Sequence, residues 1–460
     1  MSAATHLPKD TAPPEPVTRP AHSRARYGLL VSLFVITAIN YLDRTNMAVA
    51  LPHITDDFKL TATQAGLILS AFSWIYAALQ IPGGWLADKA GPKLAYGYAM
   101  IGWSLTTIVF FLARSFGMVI GLRVTLGIFE SPAFPSNNRL VSNWFPAKER
   151  GRATAIYTAG EYVGLAIAVP VLSLLVARWG WQSVFLATGV LGLLFSALWF
   201  RRVYDTPERS PRVSATELAH IRQDGEATPD QQTAQRTEST RAGLRILLTD
   251  RRLWGLYIAQ FANTSVLFFF LTWFPSYLVN DKGLTTIKAG FWGSLPYIAA
   301  LIGVLVGGQG SDWMLRSGRV SRTFARKSPV MIGLCLAPVI VAANFTSSIP
   351  LVITFMSLAF FAQGLMQTGW TVLSDIAPVR LMGLAGGVFS FAANLGGALA
   401  PIVIGIIIDR TGSMAYGLVY IASLTVAGLL AYALLINRVD RMALAGPAEA
   451  TPGPPGAGLS

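Results

Sequence analysis

One cysteine in 460 residues and a charged fraction of only 13% set the first limits on this chain. A lone Cys335 inside an apolar run excludes a disulfide framework and a cysteine metal site, and gives no sign of redox chemistry. Also missing are a Gly-x-x-x-x-Gly-Lys phosphate loop and a His-x-x-x-His metal pair. No polar stretch is long enough to hold a catalytic domain. The chain is therefore read as no enzyme, neither an ATP-driven pump nor a membrane hydrolase, and as needing no cofactor. The alternating strands of a membrane β-barrel are absent as well.

What is present is hydrophobicity, at 53% of residues. Apolar runs of about 18–25 residues, each long enough to cross a bilayer as a helix, recur throughout. Twelve spans are expected near 27–51, 62–86, 92–113, 116–140, 152–177, 182–202, 252–279, 288–313, 325–345, 349–373, 382–408 and 414–437. The fold class is all-α membrane protein, with two six-helix bundles at 27–202 and 252–437 joined by a polar loop at 203–251. In that loop Ser214 and Glu217 form a capping-box pattern ahead of a short amphipathic helix. Residues 1–26, polar and Pro-rich, read as a retained tail rather than a signal peptide, and the Ala/Gly/Pro run after Met442 reads as disordered.

The net charge of +13 does not mark a nucleic-acid partner, because the basic residues gather in alternate loops. Of the 36 Lys and Arg, Lys59, Arg114, Arg178, Lys282, Lys288 and Arg410 fall on one side, Arg44 and Arg123 lie in spans, and the rest lie on the other side. The positive-inside rule then places both termini and the central loop in the cytoplasm. The partner expected on this ground is a lipid bilayer.

The halves carry a faint repeat. Gly83-Gly84-Trp85-Leu86-Ala87-Asp88 returns as Gly307-Gly308-Gln309-Gly310-Ser311-Asp312, an offset of 224, and Pro146 with Gly151 returns as Pro378 with Gly383, an offset of 232. The first turn, Gly84-x-x-x-Asp88-Lys89-x-Gly91-x-Lys93, has glycines for a tight bend and an acid able to hold the inner side shut. A solvated loop is the plainer alternative.

Ionisable groups inside spans are costly and mark solute or proton paths. Here they are Asp43, Arg44, Arg123, Glu130 and Glu161. Arg123 and Glu130, seven residues apart, share one helix face. Depth along the spans suggests an outer cluster of Asp43, Arg44 and Arg123, with Arg44 free for a substrate anion, above an inner pair of Glu130 and Glu161. Static ion pairs pinning the helices are the alternative. Tyr41 and Tyr76 offer hydroxyls at substrate depth. Gln260, Asn263, Trp273, Trp370, Thr371 and Asn394 are candidates to close the site from the second half. Gly383, Gly386, Gly387, Gly396 and Gly397 let the eleventh helix pack and bend. His53 reads as solvated.

The Gly84–Lys93 turn with its degenerate copy at Asp312 resembles the signature of the major facilitator superfamily. Asn40-Tyr41-Leu42-Asp43-Arg44-Thr45-Asn46, Gln80-Ile81-Pro82-Gly83-Gly84 and Ser374-Asp375-Ile376-Ala377-Pro378 resemble its anion:cation symporters, above all bacterial importers of galactonate, glucarate and hexuronates with protons. That resemblance implies proton-carrying roles for Asp43 and Glu130, with Glu161 a further acid where sugar-acid importers carry glutamine. It implies carboxylate binding by Arg44, coupling through Arg123, and a place in the pocket for Asn394, in a run like Phe391-Ala392-Ala393-Asn394-Leu395. It implies gating by Gly84, Asp88, Lys89, Gly91 and Asp312. The function expected is proton symport of a sugar acid, by a monomer whose partners are the lipid bilayer, protons and a small organic anion. The alternatives are an aromatic carboxylate importer, a drug:proton antiporter, which paired arginines oppose by repelling a cation, or a transport-dead solute sensor.

Overall fold

The computed structural model describes residues 23–222, 240–378 and 381–442, and within them no strand occurs. Twelve helical segments have the length and hydropathy of membrane spans. They run Ala25–Phe58, Ala62–Ala90, Pro92–Leu112, Phe116–Trp144, Lys148–Trp179 and Gln182–Arg202 in the first half. The second half has Arg251–Thr272, Thr286–Ser317, Arg322–Phe345, Ile349–Ile376, Met382–Thr411 and Ala415–Leu435. These are spans 1 to 12. Several exceed the expected runs because a helix continues past the apolar zone until a cap stops it. Span 1 ends where Lys59 turns left-handed at φ 52°, and span 2 starts in a reciprocal capping box between Thr61 and Gln64.

Two spans are broken where hydropathy gives no warning. Span 4 is one helix over Phe116–Glu130 and another over Ala133–Trp144. Pro132 has no N–H for the Ile128 carbonyl, and the Ser131 hydroxyl donates to that oxygen instead at 2.9 Å. Span 10 breaks between Met366 and Gly369, where Gln367 and Thr368 close tighter turns onto Gly364 and Leu365. The breaks occupy equivalent places in the two halves, as a duplicated architecture requires. Span 7 likewise ends as a regular helix at Thr272 and continues into a π-helical turn at Tyr277–Asp281.

Two glycines shape the end of span 2 and the turn that follows it. A Cβ on Gly83 would lie 2.9 Å from the Ser131 and Pro132 backbone, so span 2 can cross the span 4 break. The close approach is thus at Gly83, while Gly84 meets only Pro135 at ordinary distance. Gly91 has φ +84° and faces the Asp205 carboxylate, which accepts from the Lys93 amide at 2.8 Å. On span 11 the tight contacts fall at Gly396 and Gly397, against Phe261 and Phe268, and at Gly405, against the Ala62 carbonyl of span 2; Gly383 and Gly387 meet nothing within 4 Å.

The apolar core has the form of a V. One cluster joins both halves at the end away from the termini, running from Met47, Leu51 and Phe185 to Phe270, Phe274 and Ile404. Toward the termini it divides into a cluster drawn from the first half alone and another from the second half alone. Polar links follow the same division. The Asp409 carboxylate accepts from the Ala62 and Thr63 amides, both at 2.8 Å, and His53 meets Thr286 at 3.4 Å. Tyr162 marks mid-depth, donating to Gln363 at 3.3 Å and accepting from Gln367 at 3.0 Å. Nearer the termini, the ion pairs stay within one half: Asp88 with Arg139 at 3.9 Å, and Asp312 and Asp375 with Arg326 at 2.9 and 3.0 Å.

Asp409 caps a helix of the opposite half, so it holds the far end shut. Asp409→Ala is expected to remove about 1 kcal/mol of that closure, about fivefold in the closed-to-open ratio. Spin labels at Lys59 and Ser413 should report it as a growing long-distance population; an unchanged distribution refutes the clamp.

The loop helix expected after Ser214 is present at Ala215–Ile221, capped by the Ser214 hydroxyl on the Glu217 amide at 3.1 Å. Glu217 does not complete the box. Its carboxylate accepts from the Ala25 and Arg26 amides at 2.9 and 3.1 Å and so caps span 1. The rest of the loop, 223–239, and the tail after Met442 lie outside the described residues. Before that tail, Val439 is buried and the Met442 amide reaches the Ile376 carbonyl at 2.9 Å.

Candidate functional site

Arg44 stands at the centre. Its Nε donates to Glu130 Oε2 at 3.1 Å, and Asn40 Nδ2 donates to the same oxygen at 2.9 Å. Because Asn40 and Arg44 are one turn apart on span 1, both reach the carboxylate that the span 4 break presents at the end of its helix. Three rings surround the guanidinium, Tyr76 at 4.7 Å and Tyr41 and Phe72 each at 4.9 Å. Arg44 Nη2 and Glu130 Oε1 are buried without a hydrogen-bond partner among the described residues.

Arg123 is a neighbour rather than a member of this pair. It is buried, and donates to the Ile68 and Leu69 carbonyls at 3.1 and 3.0 Å while lying 5.1 Å from the Phe72 ring. Glu161 is buried on span 5 beside Tyr41, with Oε1 unpartnered. Asp43 turns away from all of them. Its Oδ1 accepts from Asn46 Nδ2 at 3.2 Å, and no basic side chain pairs with it among the described residues.

The outer-cluster and inner-pair arrangement therefore does not hold. Arg44 is not free but bonded to Glu130, Glu130 is not paired with Glu161, and Asp43 sits with neither arginine. The reason is angular. Adjacent residues on a helix point about 100° apart, so depth alone cannot place Asp43 and Arg44 in one cluster.

In the second half, Gln260 is buried with Asn263 and Thr264, each at 3.4 Å. Asn394 is spent locally on the Ser390 carbonyl at 2.9 Å. Trp370 is 45% exposed with one edge on Phe389 at 4.7 Å, and Thr371 is half-buried beside it. Trp273 does not face the site, since its indole donates to the Pro401 carbonyl at 3.0 Å and ties span 7 to span 11. Lys89 lies over the Trp85 ring at 4.8 Å rather than in an ion pair. His53 is not merely solvated, because it meets Thr286 of the other half.

Sequence reading missed Tyr162, Gln363 and Gln367, which join the halves beside Glu161. The signal was available: two glutamines four apart on one face of an apolar span.

A family model described as Major Facilitator Superfamily matches residues 33–320. The chain belongs to that superfamily. It is similar to the D-galactonate transporter of Escherichia coli O6:H1, at 42% identity over 93% of this chain and 99% of that one. It is also similar to a probable galactarate/D-glucarate transporter of Bacillus subtilis, at 39% identity over 91% of this chain and 93% of the relative. A third relative is the Bacillus subtilis hexuronate transporter, at 32% over 88% and 94%. Among solved structures, a bacterial homologue of the lysosomal transporter Spinster superposes with a TM-score of 0.69 at 20% identity, covering 90% of this chain and 95% of that one. The E. coli xylose transporter gives 0.68 at 12%, covering 90% and 97%. These establish the two-bundle facilitator fold. The protein is a multi-pass membrane transporter whose relatives carry sugar acids.

Proposed function

We propose that this chain imports a sugar acid together with protons by alternating access. The observation that carries the reading is the half-used guanidinium of Arg44. Its Nε holds Glu130 while Nη2 has no partner, so the planar fork can meet an arriving carboxylate at mid-membrane. Glu130 and the anion then compete for one cation, which links the acid's charge to substrate binding. With the Lys/Arg-rich terminal face in the cytoplasm, the V-shaped core corresponds to an inward-open state, and rocking of the halves about Tyr162 would exchange access.

The relatives favour an aldonate, aldarate or hexuronate as substrate. Tyr41, Phe72 and Tyr76 are buried and each turns one face to Arg44, so little ring surface is left to stack on a substrate, which disfavours an aromatic carboxylate. The deciding experiment is uptake of D-galactonate, D-glucarate and D-galacturonate into proteoliposomes with and without an imposed pH gradient. Accumulation of at least one, accelerated by the gradient, is expected; no uptake of any overturns the reading.

Glu161 supplies a separate test. A buried carboxyl with an unpartnered oxygen beside Tyr41 can either carry a proton or bond a substrate hydroxyl. We expect Glu161→Gln to change the charge moved per substrate, read as current on solid-supported membranes. Wild-type charge and wild-type selectivity together would reduce Glu161 to a structural role.

A further inference from the structure

On the side of span 1 turned away from Arg44, four buried polar atoms make no hydrogen bond of full geometry among the described residues: Asp43 Oδ2, Asn46 Oδ1, Trp103 Nε1 and Ser104 Oγ. They belong to one seam between spans 1, 3 and 6. Asn46 bonds Asp43 from the same helix, the Trp103 indole lies beside Asp43, and Ser104 follows Trp103 on span 3. Span 6 closes the seam with Gly192, where a Cβ would fall 2.2 Å from Ser104 Oγ and 3.8 Å from Trp103 Nε1. A glycine there is what admits the Ser104 hydroxyl. Unpartnered buried polar groups are rare enough that four in one seam call for a purpose.

The bonds that do exist orient the acid. Thr188 on span 6 donates its only hydroxyl hydrogen to the Val184 carbonyl at 2.9 Å, so toward Asn46 Nδ2, at 2.6 Å, it can only accept. The second amide hydrogen of Asn46 goes to Asp43 Oδ1. That oxygen is thereby fixed as an acceptor, and Oδ2 remains for a proton. Glu130 on span 4 is the charged group facing Asp43, and it is bonded to Arg44 of Asp43's own helix. Spans 3 and 6 bring neutral groups to the seam.

We propose that this seam is the transporter's proton-holding compartment, apart from the substrate cavity. In it Asn46 and Thr188 position Asp43, while Trp103 Nε1 and Ser104 Oγ serve Oδ2 as donors when it is ionised. The inference rests on the proton-coupled reading above and adds the residues that set it. One proton enters onto Oδ2 and leaves from it; no other bond is made or broken. When Oδ2 is protonated it becomes a donor, and Asn46 Oδ1 is the free acceptor in the same seam. These four are positioning residues, since none touches the Arg44–Glu130 pair.

The test uses the full chain in proteoliposomes with D-galactonate as probe, comparing wild type with Trp103→Phe, Ser104→Ala, Thr188→Val and the conservative Thr188→Ser. Donors to an ionised carboxylate favour that form, so removing one raises proton affinity. Trp103→Phe and Ser104→Ala each remove such a donor, and Thr188→Val removes the acceptor that aims the Asn46 amide at Oδ1; each is expected to move the midpoint of pH-dependent uptake upward by about half to one pH unit, about 3- to 10-fold in proton affinity. Half-saturation for galactonate exchange at one symmetric pH should stay within about twofold, and Thr188→Ser should restore the wild-type profile. The same midpoints are read without substrate from the protonated-carboxyl infrared band that Asp43→Asn removes. Superimposable profiles and bands across the variants overturn the seam, as does a Thr188→Ser shift equal to that of Thr188→Val. A wild type that ignores the pH gradient refutes proton coupling instead, and the infrared midpoints still decide the seam.

Discussion

Arg44→Lys is expected to lower sugar-acid uptake by about 10- to 100-fold although the positive charge is kept, because a charge-assisted, two-pronged contact is worth roughly 1.5–3 kcal/mol. Arginine can hold Glu130 through Nε and still turn its other edge to an incoming carboxylate. An ammonium is a point donor and must share itself between the two. The surrounding rings add to the difference, since Tyr41, Phe72 and Tyr76 receive a flat guanidinium at 4.7–4.9 Å, and a shorter, more strongly hydrated ammonium makes poorer use of three faces. Folding should change little, because Glu130 keeps a cationic partner. Concentration-dependent uptake of D-galactonate in proteoliposomes measures the effect, and a KM within about threefold of wild type at unchanged maximal rate would refute Arg44 as the anchor.

Much of this was legible in the chain, for reasons that differ by level. The twelve spans follow from run length against bilayer thickness, a constraint that leaves few alternatives. The identities of the central charges were legible because ionisable groups are rare in such runs. Their pairing was not, since it depends on azimuth about each helix: Asn40 and Arg44 share a face, whereas Asp43 lies a third of a turn away toward Asn46 and Thr188. The break that brings Glu130 to a helix end was hidden for a related reason. Hydropathy registers Ser131 and Pro132 as tolerable residues and does not register that Pro132 leaves the Ile128 carbonyl to a side chain. The second half was the least legible. Its polar residues are uncharged, so Gln363 and Gln367 gave a weaker signal than Asn394, which the fold uses on its own helix.

Asp43→Asn and Glu130→Gln should share one phenotype and differ in another, and that difference separates their roles. If both acids carry the coupled proton, each amide mimics the protonated form. Each variant then loses pH-gradient-driven accumulation while keeping substrate exchange in at least one of the two. Stability should divide them. Glu130 is the carboxylate partner of Arg44, whose side chain is only 10% exposed, so Glu130→Gln strands a buried guanidinium at a cost of about 3–5 kcal/mol. Asp43 has no cationic partner to strand among the described residues, and Asp43→Asn should melt close to wild type. A saturating sugar acid should also stabilise Glu130→Gln more than Asp43→Asn, because its carboxylate supplies the missing counter-charge and a bound ligand stabilises by RT ln(1 + [L]/Kd). Thermal unfolding in detergent with and without D-galactonate, beside uptake under an imposed pH gradient, reads both effects. Full gradient-driven accumulation in both variants would refute the proton assignment. A Glu130→Gln protein as stable as Asp43→Asn without ligand would show that the Arg44–Glu130 bond does not hold the cavity together.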